Sequence, residues 1–404
     1  MSAPGRARWL PPPDSHEVAR TLSRQFEQRF GEPPAGVWAA PGRVNLIGEH
    51  TDYNQGLCLP MALPHRTYAA ARVRADRANR VASLQQDDGW EGTLDDVGPG
   101  CPQGWAAYAA GVLWALGQRG LDLPGLDVLV DGHVPLGSGL SSSAALECSV
   151  AAAVAGLVEE VGSLAPEELA EVCVAAENVV AGASTGGLDQ TTALRARAGH
   201  VMLLDCRDFS VEQVPWSIGA DGWTVLVVDT RAPHALVDGQ YAQRRGSCEE
   251  AAARLGVTSL RDVEAAELES ALARLAGDEV LVRRTRHVVT EIERVRRAAH
   301  SLRGGDVAAL GQLMTASHVS LRDDYEVSCP ELDTVVDTAL HAGAAGARMT
   351  GGGFGGSAIA LVRQDESAAV ADAVAAAFAD RRWGAPQVLE AVPSGPATRV
   401  QPRS

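Results

Sequence analysis

Apolar residues recur at helical spacing over 16–30, where Val18, Ala19, Leu22 and Phe26 share one face, and a cap near Ser15 opens the run. A strand entering a turn is expected over 37–50, "VWAAPGRVNLIGEH". Further strands are expected at 68–75, 80–86, 125–134, 200–208 and 223–230, where β-branched and apolar residues form short runs. Helical period returns in "GWAAYAAGVLWALGQRG" (104–120), in the alanine-rich stretch after 140 and in "APEELAEVCVAAENVVAG" (165–182). It covers most of 236–320 and returns in "ESAAVADAVAAAFADRR" (366–382). "RMTGGGFGGSAIALV" (348–362) reads as a loop running into a strand, and the final eight residues as frayed. The mixture implies an α/β (α+β) fold. At 404 residues the chain exceeds the usual size of a single core, so two domains are expected: 1–208 and 209–404, the first glycine-rich α/β, the second more helical.

Composition narrows the function. The net charge of −16 disfavours non-specific binding to nucleic acid or to an acidic membrane. All 35 basic residues are arginine, which removes every mechanism that needs lysine: a Schiff base, a Walker A loop, a protein-kinase ion pair. A nucleotide triphosphate would have to be held by backbone amides, arginine and a metal. Seven cysteines, an odd number without C-x-x-C spacing, suit free thiols in a reducing compartment. The N-terminal twenty residues lack a continuous apolar core, and the longest apolar run, near 149–158, is too short for a bilayer; a cytoplasmic, monomeric protein is the expectation.

Three stretches stand out chemically. "GRVNLIGEHTDYNQG" (42–56) crowds Arg43, Asn45, Glu49, His50 and Asp52 around an apolar Leu46-Ile47 pair. Carboxylates accept bonds from hydroxyls and histidine accepts or donates, which suits a polyol; an ion-paired loop would use the same residues. "PLGSGLSSSAAL" (135–146) places Pro135, Gly137, Ser138, Gly139 and Leu140 before Ser141, Ser142, Ser143 and Ala144 at a helix start. Glycines permit close backbone approach and a helix N-terminus attracts anions, so the segment is either a phosphate cradle or a well-capped turn. It lacks the third glycine of a dinucleotide-binding fingerprint. The third stretch has five glycines in six residues, 351–356 around Phe354, and suggests a ligand clamped between two glycine loops. Asp189, in a tight turn of "AGASTGGLDQTT", is a candidate general base or metal ligand, or a plain turn residue.

Taken together, these motifs resemble the GHMP kinase superfamily and, within it, the galactokinase family. The likeness rests on "GRVNLIGEHTDYNQGLCLPMAL", "PLGSGLSSSAALE" and "RMTGGGFGGSAIALV" in that order, with "LRDDYEVSCPELD" (321–333) and "QYAQRRGSCEEAA" (240–252) beside them. It implies a two-domain GHMP kinase-like fold with the active site in the cleft, ATP and Mg2+ as cofactors, and phosphorylation of the C1 hydroxyl of α-D-galactose in galactose metabolism. Carried over, Asp189 takes the C1 proton with Arg43 beside it. Arg43, Glu49, His50, Asp52, Asp189 and Tyr241 read the sugar. Trp105 walls the adenine, residues 135 and 137–144 cradle the phosphates, and Ser143 and Glu177 ligate magnesium. Relatives often carry Pro-Cys-Gly before the aspartate and methionine where Leu188 stands. Two alternatives follow from the same resemblance: a kinase for N-acetylgalactosamine, arabinose or galacturonate, and a galactose/ATP-binding regulatory sensor, against which the intact Ser143-Ala144 pair argues.

Overall fold

The computed structural model describes residues 6–183, 185–232 and 237–401; Leu236, where the long helical region was expected to open, and Ser184, in the turn before Asp189, lie outside them. A six-stranded sheet runs in the order Thr398–Val400, Gly36–Asn45, Pro60–Val73, Leu126–Gly132, Asn79–Ser83, Trp90–Gly92. Its neighbours are antiparallel except Asn79–Ser83, which runs parallel to Leu126–Gly132. Helix Ser15–Phe30 covers one face through Val18, Leu22 and Phe26. The other face is covered by helices Ala106–Gln118 and Ser142–Leu157. Alanine and glycine let the second of these lie close: a Cβ on Gly156 would fall 2.5 Å from the Trp38 ring.

A five-stranded sheet, Arg8–Trp9, Gln387–Ala391, Trp223–Asp229, Ser357–Arg363, Gly346–Thr350, carries the second half of the chain. Long helices Glu279–Gly304 and Val307–Asp323 pack beside it. Leu57–Cys58, His200–Asp205 and Ser210–Pro215 form a third, small sheet. The 208/209 division falls in the turn of that last hairpin, between two paired strands. Among the described residues no helix is long and apolar enough to cross a membrane.

Several expectations are corrected. The cap expected near Ser15 is its neighbour Asp14, whose carboxylate accepts from the amides of His16 (2.9 Å) and Glu17 (3.1 Å). The single helix expected over 165–182 is α only over Pro166–Ala175; Ala176–Ala181, with Glu177, is a π-helical turn ended by left-handed Gly182 (φ 73°). Such widened turns recur at functional sites. The chain's end is not frayed as far as it is described: Thr398–Val400 pairs with Gly36–Asn45, and Arg399 lies over the Trp38 ring at 5.2 Å. Three residues have no readable period, so only the partner strand reveals them. The opposite terminus crosses the other way, with Arg8–Trp9 parallel to Gln387–Ala391.

The Leu46-Ile47 pair now has a reason. Both residues are fully buried in the core built mainly by the second half of the chain. Strand Gly36–Asn45 leaves its own sheet there, and the loop after it is held by a fully buried guanidinium, Arg348. Arg348 donates to the carbonyls of Asn45 (3.2 Å) and Leu46 (3.3 Å), to Glu49 Oε2 (3.1 Å) and to Ser317 Oγ (3.1 Å). Glu291 completes the cluster, accepting from the Gly48 amide (3.0 Å), Ser317 (2.6 Å) and Arg294 (2.6 Å). Burial alone would push its carboxyl up, but Arg294, His287 and Arg348 hold it at about 2. Breaking such a buried pair leaves an uncompensated charge. Arg348→Met is therefore expected to lower stability by about 3–5 kcal/mol, read as an earlier midpoint in chemical denaturation, because Glu49 and Glu291 would face each other without it.

Candidate active site

Two glycine loops meet at the centre of the molecule. Gly137 (φ 71°) and Gly139 (φ 74°) are left-handed, and so is Gly351 (φ 83°). A Cβ on Gly351 would stand 3.0 Å from the Gly139 carbonyl, so side chains are excluded where the loops touch. Ser357 Oγ donates to the Ser138 carbonyl (2.7 Å) and ties the loops together. Helix Ser142–Leu157 starts here. Ser141 takes the N-cap position with a left-handed backbone (φ 60°), and its side chain makes no capping bond. The expectation that serine caps these amides is thus corrected: the Ser141 hydroxyl points elsewhere, and a helix start without a side-chain cap is suited to an anion.

That hydroxyl donates to Asp189 Oδ2 at 2.5 Å. Arg43 Nε donates to Asp189 Oδ1 at 2.7 Å, and Arg43 Nη1 to the Gly139 carbonyl at 2.6 Å. Asp189 opens helix Leu188–Arg195 behind left-handed Gly187 (φ 87°). Both its oxygens are engaged by protein and each keeps a lone pair, so the carboxylate is fixed in place yet able to accept another proton donor.

A cavity of about 200 Å³ opens over this pair. Arg43, Glu49, His50, Asp52, Asp189 and Tyr241, expected from the sequence to surround a sugar, all line it, as does Glu177. Asn45, Gly48, Thr185, Leu188, Gly351 and Gly352 complete the wall, none of them assigned to the sugar from the sequence. The glycine run was the signal for two of them. Glu49 is more constrained than its sequence suggested. Its carboxylate accepts from Asn45 Nδ2 (2.5 Å), Arg348, Thr350 Oγ1 (3.0 Å) and the Gly351 amide (2.6 Å). Burial nevertheless raises its pKa, against the pull of Arg348 and the Gly351 amide. Asp52 has its carboxyl pushed up to about 6, first by burial and then by the Asp189 charge, with the Tyr53 amide opposing. Burial and the neighbouring His287 lower His50 to about 3, so this imidazole is neutral at physiological pH.

Glu177 and Ser143 lie at the loop side of the cavity. Burial and the charge of Asp189 lift Glu177 to about 7, while hydrogen bonds from Ser143 and Gln190 pull the other way. Glu177 and Asp189 share one nearby guanidinium, so the corner lacks positive charge and offers hard oxygen donors. That donor set fits Mg2+, which keeps several waters and takes few protein ligands. Trp105 lines a separate, mostly apolar cavity of about 90 Å³ with Leu136, Ser142 and Leu146, at the other side of the phosphate loop; its indole N–H donates to Asp88 (3.2 Å).

Family models place this architecture. The GHMP kinase N-terminal domain matches residues 107–197 and the GHMP kinase C-terminal domain matches 298–380. The mevalonate kinase of Methanococcus jannaschii shares the fold at a TM-score of 0.62 over 89% of this chain and 98% of that one, with 16% identity. The molecule is thus a GHMP kinase in its fold and in its paired glycine loops. More narrowly, the galactokinase galactose-binding signature matches residues 24–73. The galactokinase of Streptomyces coelicolor is 51% identical over 384 residues, 95% of this chain and 99% of its own; that of Chloroflexus aurantiacus is 47% identical over 89% and 91%. A crystal structure of Lactococcus lactis galactokinase complexed with galactose superposes at a TM-score of 0.90, with 33% identity over 94% of this chain and 99% of that one. The chain belongs to the galactokinase family.

The raised Asp52 value has a measurable sign. Between pH 4 and 6 the ligand-free folded state keeps a proton that the unfolded chain has released, so this group's stabilisation is complete below about pH 4 and lost as pH rises through about 6. Asp52→Asn should therefore raise the Tm of the ligand-free protein at pH 8 by more than at pH 4.5, measured by scanning calorimetry.

Proposed function

We infer that the protein transfers the γ-phosphoryl group of ATP to the C1 hydroxyl of α-D-galactose, giving galactose 1-phosphate and ADP. The observation that carries this reading is the Arg43–Asp189–Ser141 contact at the floor of a cavity lined by the galactose signature. In this reading the sugar lies against Glu49, His50, Asp52 and Tyr241 with C1 toward Asp189. The proton of the C1 hydroxyl passes to an Asp189 oxygen as the hydroxyl oxygen bonds to the γ-phosphorus. The bond from that phosphorus to the ADP oxygen breaks. Arg43 holds Asp189 in orientation, and its charge offsets that on the phosphoryl oxygens.

Backbone amides at the start of helix Ser142–Leu157 receive the phosphates, a role a lysine-free chain leaves to amides and arginine. Trp105 and Leu136 take the adenine. Ser143 and Glu177 would hold Mg2+, which supplies charge neutralisation between the terminal phosphates. The catalytic unit spans both halves, residues 1–208 and 209–404, as a monomer in the cytoplasm. The Glu49–Gly351 hydrogen bond joins sugar wall to glycine loop across that division.

Asp189→Asn is expected to keep galactose affinity and lose about 10²–10⁴ in kcat, since general-base assistance contributes on that scale. Turnover within tenfold of the parent would remove Asp189 from the base role. ADP release with galactose, N-acetylgalactosamine, glucose, arabinose and galacturonate tests the substrate. Galactose should dominate; preference for another sugar would keep the chemistry and replace the substrate, and galactose binding without any ADP release would make the chain a sensor.

A further inference from the structure

Behind the sugar cavity lies a packed set of rings that the phosphoryl-transfer reading leaves without a task. Tyr325, fully buried, comes from the segment after helix Val307–Asp323. Its ring lies 4.8 Å from His50 and 4.4 Å from His287, centroid to centroid. Tyr53 packs edge-on to His50. The polar atoms of this set form one unbranched chain. Cys248 Sγ is 3.1 Å from the Tyr325 hydroxyl, that hydroxyl is 2.8 Å from the Tyr53 hydroxyl, and Tyr53 is 3.0 Å from His50 Nδ1. At its far end His50 Nε2 is buried and makes no hydrogen bond within the protein, although the ring lines the sugar cavity.

If each tyrosine proton is spent within this set, all three bonds point the same way. Either His50 Nδ1–H donates to Tyr53, Tyr53 to Tyr325 and Tyr325 to the thiol, or the thiol donates to Tyr325, Tyr325 to Tyr53 and Tyr53 to His50 Nδ1. The second direction is the stronger. A phenol is a better donor than a neutral imidazole, an imidazole nitrogen is a better acceptor than a phenol oxygen, and sulfur is a weak acceptor to end on. The ring is neutral, so a proton absent from Nδ1 sits on Nε2.

We propose that Tyr325 and Tyr53 are positioning residues for sugar recognition: their hydroxyl relay holds His50 as the Nε2–H tautomer, so the cavity presents one N–H donor among acceptor carboxylates. The hydroxyl read by His50 is then read at its oxygen by the N–H and at its proton by a carboxylate, Asp52, which unlike Glu49 and Asp189 is not already paired with Arg348 or Arg43. A sugar lacking that hydroxyl leaves a buried N–H and a buried carboxylate unpaired, the kind of mismatch that discriminates most strongly. The relay also explains why His50 adopts a left-handed backbone (φ 61°) that a non-glycine residue holds only when its surroundings over-determine it.

This inference rests on the galactose reading, and the test separates the two. Galactose and its monodeoxy analogues are titrated calorimetrically, without nucleotide, into the full chain and into Tyr325→Phe and Tyr53→Phe. The imidazole nitrogens of His50 are read by ¹⁵N NMR, assigned by difference against His50→Gln. Expected are an unprotonated Nδ1 and a protonated Nε2 in the parent, and galactose affinity about 5–20-fold weaker in Tyr53→Phe, the cost of one lost buried hydrogen bond. The loss should be smaller in Tyr325→Phe and absent for the one deoxy analogue that lacks the hydroxyl His50 contacts, with the KM for ATP unchanged. A protonated Nδ1 in the parent overturns the relay, and so does an equal loss across all analogues, which would mark the tyrosines as merely structural. Parent protein that binds no galactose would overturn the galactose reading instead, while the ¹⁵N spectrum still decides the tautomer.

Discussion

A guanidinium with no access to solvent holds this molecule's working parts in register. Arg348 sits in the middle of strand Gly346–Thr350, in the second half of the chain, and its Nη1 donates to the carbonyls of Asn45 and Leu46 and to Glu49, all from the first half. An arginine cannot shed its proton to escape burial, so its site must supply acceptors. Glu49 and Glu291 supply the charge, and the chain around them is obliged to pass close by. One consequence is local: the loop carrying Glu49, His50 and Asp52 cannot drift without stripping a buried charge of its partners. The other is global, because the Gly346–Thr350 strand runs straight into the glycine run that meets the phosphate loop.

The site is built from backbone as much as from side chains. With no lysine in the chain, the polar groups where the two glycine loops meet are amides at a helix start, Arg43, and carboxylate and hydroxyl oxygens. Ser141 illustrates the economy of this arrangement. It leaves the helix amides without a side-chain cap and places its hydroxyl on Asp189, so the residue at the helix start also orients the carboxylate at the cavity floor. Around the cavity the groups are graded: Glu49 is saturated by four protein donors, Asp189 keeps capacity for more, and Asp52 has its carboxyl raised by burial and by the charge of Asp189.

Much of this was open to reading before any coordinates. Apolar period marked the long helices and the central strands, and the three glycine- and polar-rich motifs, in their order, identified the superfamily and the residues around the cavity. Those signals are local, carried by residues within a few positions of one another. Apolar spacing is enough to specify a helix face, and a Gly-Ser run before an alanine-rich helix is enough to specify an anion-seeking turn.

Other features have no local signature, because each is a contract between distant residues. The exchange of chain ends between the sheets depends on two- and three-residue strands that exist only through their partners. The role of Arg348 depends on Glu49 and Glu291 arriving from elsewhere; by sequence it is one arginine beside a methionine. That Ser141 orients Asp189 instead of capping its helix, and that Cys248, Tyr325, Tyr53 and His50 come into one line of polar contacts, were decided by three-dimensional neighbours. Sequence alone determined which chemistry the chain could assemble, since that follows from residue type and short-range spacing. Tertiary structure alone decided which groups are left free to perform it, since burial and hydrogen-bond saturation are properties of the packed whole.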